Sequence, residues 1–144
     1  MKAWTSVSAP VRHSMAALAL ATGLFSCTTM GVSRSKVGSS QANISNTQWT
    51  LAETLKGKQP TLVIEPGKVT GNGGCNNYFG ELLLDPTVGN FEVKNVGATK
   101  MACPNLSEES TYFSTLSAAN KYVVSGNTLE LYKDNLLLLK FTKK

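Results

Sequence analysis

The sequence YVVSGNTLELYKDNLLLLKF, residues 122–141, contains three short apolar runs separated by two groups of turn residues. The turn groups are Ser125-Gly126-Asn127 and Lys133-Asp134-Asn135. Residues of these types favour tight turns between antiparallel strands. Short apolar runs divided in this way predict three strands joined by hairpins. The end of the chain is therefore predicted to be a β-meander.

Similar short apolar runs occupy most of the sequence from Trp49 to Lys94. They end at Pro66-Gly67, at a cluster of glycines, and at Asp85-Pro86. Apolar and polar residues alternate within several of them, which is typical of strands with one buried face. These runs predict about five further strands, so that the whole sheet has about eight.

One segment between the two groups of strands has the spacing of a helix. Asn105 can cap it, and Glu108 stands three residues later, in the position of a capping box. The apolar residues that follow recur at helical spacing, at Tyr112, Phe113, Leu116 and Ala119. We predict an α+β fold: one small domain over residues 47–144, with a curved, mainly antiparallel sheet and one helix packed on its face.

The start of the chain has the pattern of an export signal. Lys2 and Arg12 precede an apolar stretch that is too short to span a bilayer, and small residues follow it. Leu24-Phe25-Ser26-Cys27 resembles the lipobox of bacterial lipoproteins, in which the cysteine is acylated and becomes the first residue of the mature protein. We predict a signal peptide over residues 1–26 and lipidation at Cys27. The alternative is an ordinary cleaved signal that happens to contain a cysteine.

The predicted lipid places the protein in the cell envelope. Several acyl chains on one cysteine, palmitate among them, form a durable membrane anchor. Thr28 stands where Gram-negative lipoproteins retained in the inner membrane carry Asp, so this resemblance implies the outer membrane, facing the periplasm. Residues 28–46 are rich in Ser, Thr, Gly and Asn, a composition typical of flexible linkers. We predict a lipidated tether over residues 27–46.

The mature chain would contain no histidine, because His13 lies in the predicted signal peptide. This excludes Ser-His-Asp and Cys-His nucleophiles and His-rich metal sites. Glu108 and Glu109 are adjacent, point to different sides of the helix, and are explained by the helix dipole. Basic residues are scattered without interleaved aromatic residues, so nucleic acid is a poor partner. We expect no catalytic residue, no metal and no cofactor.

The sequence GNGGCNNYFG, residues 71–80, is the least ordinary part of the chain. It is not a Walker loop, because no Gly-Lys-Ser/Thr follows, and Asn76 replaces the last glycine of a dinucleotide fingerprint. Its glycines and asparagines favour a tight turn or a bulge between strands. Asn76, Asn77 and Tyr78 also carry groups suited to hydrogen bonding, and they form a candidate site for a small molecule or peptide.

Four sequence blocks follow one another along residues 47–144. They are Trp49-Thr-Leu, Val69-Thr-Gly-x-x-Gly-Cys-Asn-x-Tyr-x-Gly80, Ala98-Thr-Lys-Met-Ala-Cys103, and Glu109 followed by Tyr112-Phe113-x-x-Leu116. In order and spacing these blocks resemble the META/HslJ family. The resemblance implies a small antiparallel β domain with one helix. It also implies a link to heat-stress induction and to tolerance of the antibiotic novobiocin, and it supplies no catalytic residue or cofactor.

Two cysteines, Cys75 and Cys103, remain if Cys27 is lipidated. An exported chain folds in an oxidising compartment, and the number of remaining cysteines is even. We therefore predict a Cys75–Cys103 disulfide, with two buried thiols as the alternative. A redox role is less favoured because the chain has no Cys-x-x-Cys motif.

Two functional hypotheses from different classes follow. The first is a non-enzymatic envelope lipoprotein that is held to the membrane by its lipid and supports stress tolerance by binding an envelope protein or another ligand. The second is a thiol-dependent envelope enzyme that uses Cys75 or Cys103. A small-molecule or peptide-binding module built on the Gly71–Gly80 region ranks between them.

Overall fold

The computed structural model describes residues 36–144 apart from Lys56. These residues form eight strands and one helix, with the helix after the fifth strand. The strands are β1 (Thr47–Leu51), β2 (Thr61–Glu65), β3 (Lys68–Asn72), β4 (Asn77–Asp85), β5 (Asn90–Ala98), β6 (Lys121–Ser125), β7 (Thr128–Lys133) and β8 (Leu136–Lys143). The helix, α1, spans Leu106–Ala118.

The sheet closes on itself. Each strand pairs antiparallel with the next in sequence, and β1 pairs with β8 through registers such as Trp49 with Lys143 and Leu51 with Phe141. The antiparallel sheet of eight strands and its single helix confirm the predicted fold class. Closure adds to that prediction, and it removes the free strand edges that an open sheet would expose.

The helix lies at the weakest seam of the barrel. Strands β5 and β6 share a single bridge pair, Asn90 with Lys121. Helix α1 connects the end of β5 to the start of β6 and packs against β5 and β8. It begins where predicted, although the side chain of Asn105 makes no capping hydrogen bond to the helix. Within the described residues, no helix is long and apolar enough to cross a membrane.

Large side chains fill the interior of the barrel. The bulkiest fully buried ones are Trp49, Tyr122, Phe91 and Phe141. Burial alternates along the first part of β4, as expected for a strand with one face towards the core. Packing of this kind contributes most of the stability of a small domain. The interior of the barrel is thus a packed core.

Residues that precede β1 also pack on the barrel. Ile44 is only 2% exposed, and the backbone N–H of Gln41 donates to the carbonyl of Pro86 at 2.8 Å. The Tyr122 hydroxyl donates to the carbonyl of Ala42 at 2.8 Å. The folded part therefore begins several residues before position 47, the start predicted from the sequence. Residues 28–35 of the predicted tether lie outside the described residues, so a flexible tether there stays a prediction.

Candidate functional site

Three segments of the chain meet at the side chain of Asn76, which is 3% exposed. Its amide nitrogen donates to Oε2 of Glu109, in α1, at 2.7 Å. Its amide oxygen accepts the hydroxyl of Thr99 at 2.8 Å and the backbone N–H of Met101 at 2.7 Å. One side chain thus joins the β3–β4 turn, the connection from β5 to α1, and the helix itself. We call this set of contacts the Asn76–Glu109 junction.

The carboxylate of Glu109 is the acceptor at the centre of the junction. It is 4% exposed, and its Oε1 accepts the backbone N–H of Asn76 at 2.6 Å and that of Cys75 at 3.2 Å. Hydrogen bonds to an ionised carboxylate are stronger than neutral ones, and the nearby helix N-terminus favours negative charge. The sequence attributed Glu109 to the helix dipole alone, and the structure gives it a second role: it binds the β3–β4 turn.

The glycines of the β3–β4 turn are required by this close approach. A Cβ atom on Gly73 would lie 2.8 Å from Oε1 of Glu109 and 2.6 Å from Cζ of Phe113. Gly74 has a φ of +111°, which side chains other than glycine rarely adopt. Asn72 holds the turn from within, because its amide donates to the carbonyl of Cys75 at 3.1 Å. The predicted tight turn between strands is confirmed.

A disulfide joins the same two segments a second time. Cys75 is bonded to Cys103, with their Cα atoms 6.3 Å apart, as predicted. Cys75 is 8% exposed, whereas Cys103 is half-buried. The β3–β4 turn and the β5–α1 connection are thus linked covalently through Cys75 and by hydrogen bonds through the next residue, Asn76.

The three residues predicted as a ligand site point in different directions. Asn76 faces the junction, while Asn77 is exposed and accepts a hydrogen bond from Asn72 at 3.0 Å. Tyr78 is 2% exposed and lies in the core. The chain therefore brings Asn76 together with Glu109 and does not bring the three predicted residues to one surface.

Tyr78 forms a buried pair with Tyr112 of the helix. Their hydroxyls lie 2.9 Å apart, and the Tyr78 hydroxyl also donates to the carbonyl of Thr61 at 2.9 Å. Burial raises the pKa of the Tyr78 hydroxyl and that of Tyr112 well above the ordinary value for tyrosine. Both phenols therefore stay protonated at neutral pH and act as hydrogen-bonding groups between β4 and α1.

A shallow cleft of about 370 Å³ lies on the outer side of the junction. Its lining residues are Asn76, Thr99, Lys100, Met101, Ala102 and Leu106. Met101 and Leu106 are 54% and 43% exposed, which is high for apolar side chains. The junction fixes the backbone on one side of the cleft, because Met101 donates its N–H to Asn76.

Two other predictions concern lipid and metal. The predicted lipidation site, Cys27, lies outside the described residues. Among the residues that the structure describes, no three or more His, Cys, Asp or Glu side chains come together in a group that could hold a metal ion.

The sequence reasoning missed the partnership of Glu109 with Asn76. Local pattern could not reveal it, because the two residues are separated by 33 positions and each has an ordinary local explanation. A signal was nevertheless present. The Gly-Cys-Asn block, the Thr99 to Cys103 block and Glu109 all belong to the family resemblance, and these are the segments that the structure brings together.

Comparison with known proteins agrees with the fold. A family model described as the META domain matches residues 42–144. An NMR structure of a protein from Burkholderia xenovorans is 24% identical, with a TM-score of 0.59, over 70% of this chain and 83% of that one. A second protein solved by NMR is 19% identical, with a TM-score of 0.53, over 68% of this chain and 89% of that one. At these identities the two structures support the fold alone. No curated protein matches the chain significantly.

Proposed function

The chain belongs to the META domain family, and on that basis we propose that it is a non-enzymatic, lipid-anchored domain of the cell envelope. In this proposal it supports tolerance of heat and of antibiotics such as novobiocin by binding another envelope component. Cys27 carries the lipid, and the domain faces the periplasm from the outer membrane. The proposal rests on the family membership, the lipobox-like sequence and the use that the fold makes of its reactive groups.

The non-enzymatic part of the proposal is supported by the contacts of Glu109 and of the two cysteines. The buried carboxylate accepts three hydrogen bonds from the β3–β4 turn, and Cys75 and Cys103 are bonded to each other. A general base must instead have a free lone pair facing the substrate, and a thiol nucleophile a free thiolate. Their present partners favour a structural role for these groups over the thiol-dependent enzyme.

The surface cleft over the junction supports the binding part of the proposal. Its apolar members, Met101 and Leu106, are exposed, and its backbone is fixed by Asn76 and the disulfide. A preorganised backbone lowers the entropy lost when a partner binds. In this reading the junction keeps a binding surface in one conformation.

The predicted lipid anchor limits how far from the membrane the folded domain can lie. Gln41 already packs on the barrel, so the thirteen residues 28–40 separate the predicted lipidated cysteine from the folded domain. Fully extended, they could span at most about 47 Å. A partner would then be sought at the membrane surface or in a neighbouring envelope protein.

The test is complementation of a strain that lacks the chain. We expect that strain to be sensitive to heat and novobiocin and to be rescued by the wild-type chain. The Cys27→Ser variant should leave the membrane fraction and fail to rescue. The Cys75→Ser, Cys103→Ser double variant serves as the comparison, since it should rescue wherever it is stable enough to accumulate.

Two results would count against the proposal. A deletion strain that matches its parent under heat and novobiocin would remove the stress role. A well-folded double cysteine variant that accumulates normally but rescues nothing would favour the thiol-dependent enzyme instead.

A further inference from the structure

A groove of about 330 Å³ lies between α1, the segment after β1, and the first half of β8. We call it the helix groove. Its lining residues are Leu51, Glu53, Leu55, Glu108, Thr111, Tyr112, Thr115, Leu138 and Leu139. Its volume is at the lower end of the range for small-molecule sites, which are mostly apolar with a few placed polar groups. It is separate from the Asn76–Glu109 junction, although both involve the first turns of α1.

A β-bulge shapes the apolar wall of the groove. In the pairing of β7 with β8, Leu131 lies opposite Leu139 and Tyr132 lies opposite Leu137. Leu138 is left between them as the extra residue, and bulges of this kind redirect side chains. Together with Leu55, Leu138 is only partly buried against the core. These leucines present apolar surface that a ligand could cover.

The polar group of the groove is the carboxylate of Glu108. Its Oε2 atom is buried, and it has no hydrogen-bond partner among the described residues. The nearby hydroxyls are already used within the helix: Thr111 donates to the carbonyl of Ser107 at 2.9 Å, and Thr115 donates to that of Thr111 at 2.7 Å. A buried carboxylate oxygen without a donor is costly, so the groove favours an occupant that brings one.

The charges around the groove also favour a cation. Within the described part of the chain, both ionisable residues that line it, Glu53 and Glu108, are acidic. Lys140, which follows the lining residue Leu139, pairs with Glu130 of β7 at 3.3 Å. Since only one of the two oxygens is buried without a partner, a compact ammonium fits better than a guanidinium, which is suited to two parallel hydrogen bonds.

We propose that the helix groove binds an alkylammonium group, with the ammonium donating to Oε2 of Glu108 and the alkyl chain lying against Leu55 and Leu138. The group could belong to a free amine or to a lysine side chain of a peptide. The alkylammonium proposal names a class of ligand for the binding role proposed above. It rests on that proposed function only for its biological meaning. Binding is measured on the purified protein, so its failure would leave the complementation test unaffected.

The experiment is an NMR titration of the full-length, isotope-labelled chain with n-hexylammonium. We expect saturable shifts at the amides of Leu55, Thr111 and Leu138. Hexanol, a neutral probe of the same length, should bind at least about tenfold more weakly, since it lacks the charge. Glu108→Gln should weaken hexylammonium binding about tenfold, and Glu81→Gln, on the exposed face of β4, should leave it unchanged.

A lysine derivative with blocked termini identifies the source of the ammonium. Tighter binding of this derivative than of hexylammonium points to a peptide, and the reverse order points to a free amine. If Glu108→Gln does not fold, Leu138→Ala takes its place and should weaken hexylammonium binding severalfold. The proposal is overturned if hexylammonium gives no saturable shifts at the groove, if hexanol binds equally well, or if Glu108→Gln folds and binds as tightly as wild type.

Discussion

The backbone N–H of Asn76 donates to the carboxylate of Glu109 at 2.6 Å, across 33 positions of sequence. The side-chain amide of the same residue donates to the other oxygen of that carboxylate at 2.7 Å. A turn between two strands is thereby bound to the first turns of the helix. The disulfide from Cys75 to Cys103 reinforces this attachment one residue away.

Reduction of the disulfide should destabilise the protein without abolishing the fold. The cysteines are 28 positions apart, and on the chain-entropy model closing such a loop stabilises by about 3–4 kcal/mol. Denaturant unfolding with and without a reductant measures the difference. Thiol counting on the denatured, unreduced protein is the control. Finding both thiols free, or equal stability in the two conditions, would contradict the disulfide.

Features of this fold could be predicted from the sequence where the interacting residues are close together along the chain. Turn residues such as Gly126 and Asp134 mark hairpins, so the meander and the strand number could be predicted locally. Barrel closure could not, because it depends on pairing between Leu51 and Phe141, at opposite ends of the domain. Burial of Ile44 was missed because a single apolar residue in a polar segment gives no periodic pattern.

The candidate site was predicted in part for the same reason. The disulfide could be predicted from the number of cysteines and the predicted oxidising compartment, without any geometry. The hydrogen-bond partners of Asn76 could not be predicted because they lie on other elements, and an exposed turn is the ordinary place for asparagine. Its hydrogen bonds to Thr99 and Glu109 exist only once the barrel and helix are assembled.

Asn76→Asp should be strongly destabilising at neutral pH. It would place a second carboxylate beside that of Glu109 in a buried position, where the pKa of one of them must rise. A carboxyl with a raised folded-state pKa destabilises above that pKa and ceases to do so as it becomes protonated. The loss should therefore be about 3 kcal/mol near pH 7 and shrink as the pH falls towards about 4.

Asn77→Asp is the matched control, because Asn77 is exposed and its oxygen, which accepts a hydrogen bond, is retained. Asn77→Asp should lower the free energy of unfolding by less than about 1 kcal/mol at any pH between about 4 and 7. Urea unfolding at several pH values compares the two variants. If both variants lose the same stability, or if the loss for Asn76→Asp does not depend on pH, the side chains of residue 76 and Glu109 are not in contact.

The tyrosines should ionise late in the native protein. Burial is the main cause that raises the pKa of each of the four, Tyr78, Tyr112, Tyr122 and Tyr132, and together with the carboxylate of Glu130 it brings that of Tyr132 to about 12. Ultraviolet titration should therefore show phenolate only above pH 10 in the native protein and near about pH 10 in denaturant. Since the raised pKa belongs to the folded state, stability should fall as the pH rises above about 10. A native titration step at the ordinary value would contradict this.

Ile44→Ala should destabilise the barrel although it lies before the first strand. The side chain is 2% exposed, and truncation of a buried isoleucine costs about 2–5 kcal/mol. Leu136→Ala removes a side chain that is 66% exposed and should change stability by less than about 0.5 kcal/mol. Denaturant unfolding of both variants measures the contrast. An Ile44 variant as stable as wild type would mean that the segment before β1 does not belong to the folded part.

Glu109 and Asn76 form one interaction that holds the β3–β4 turn against the helix, and a double-mutant cycle measures its strength. Wild type, Glu109→Gln, Asn76→Ala and the double variant are compared by denaturant unfolding, with Glu108→Gln and Asn76→Ala as the control cycle. We expect each single change in the junction to cost about 1–3 kcal/mol and the coupling energy to exceed about 1 kcal/mol. The control cycle should show a coupling near zero, because Glu108 faces the helix groove. A coupling energy near zero for Glu109 with Asn76 would show that the two residues do not form one interaction.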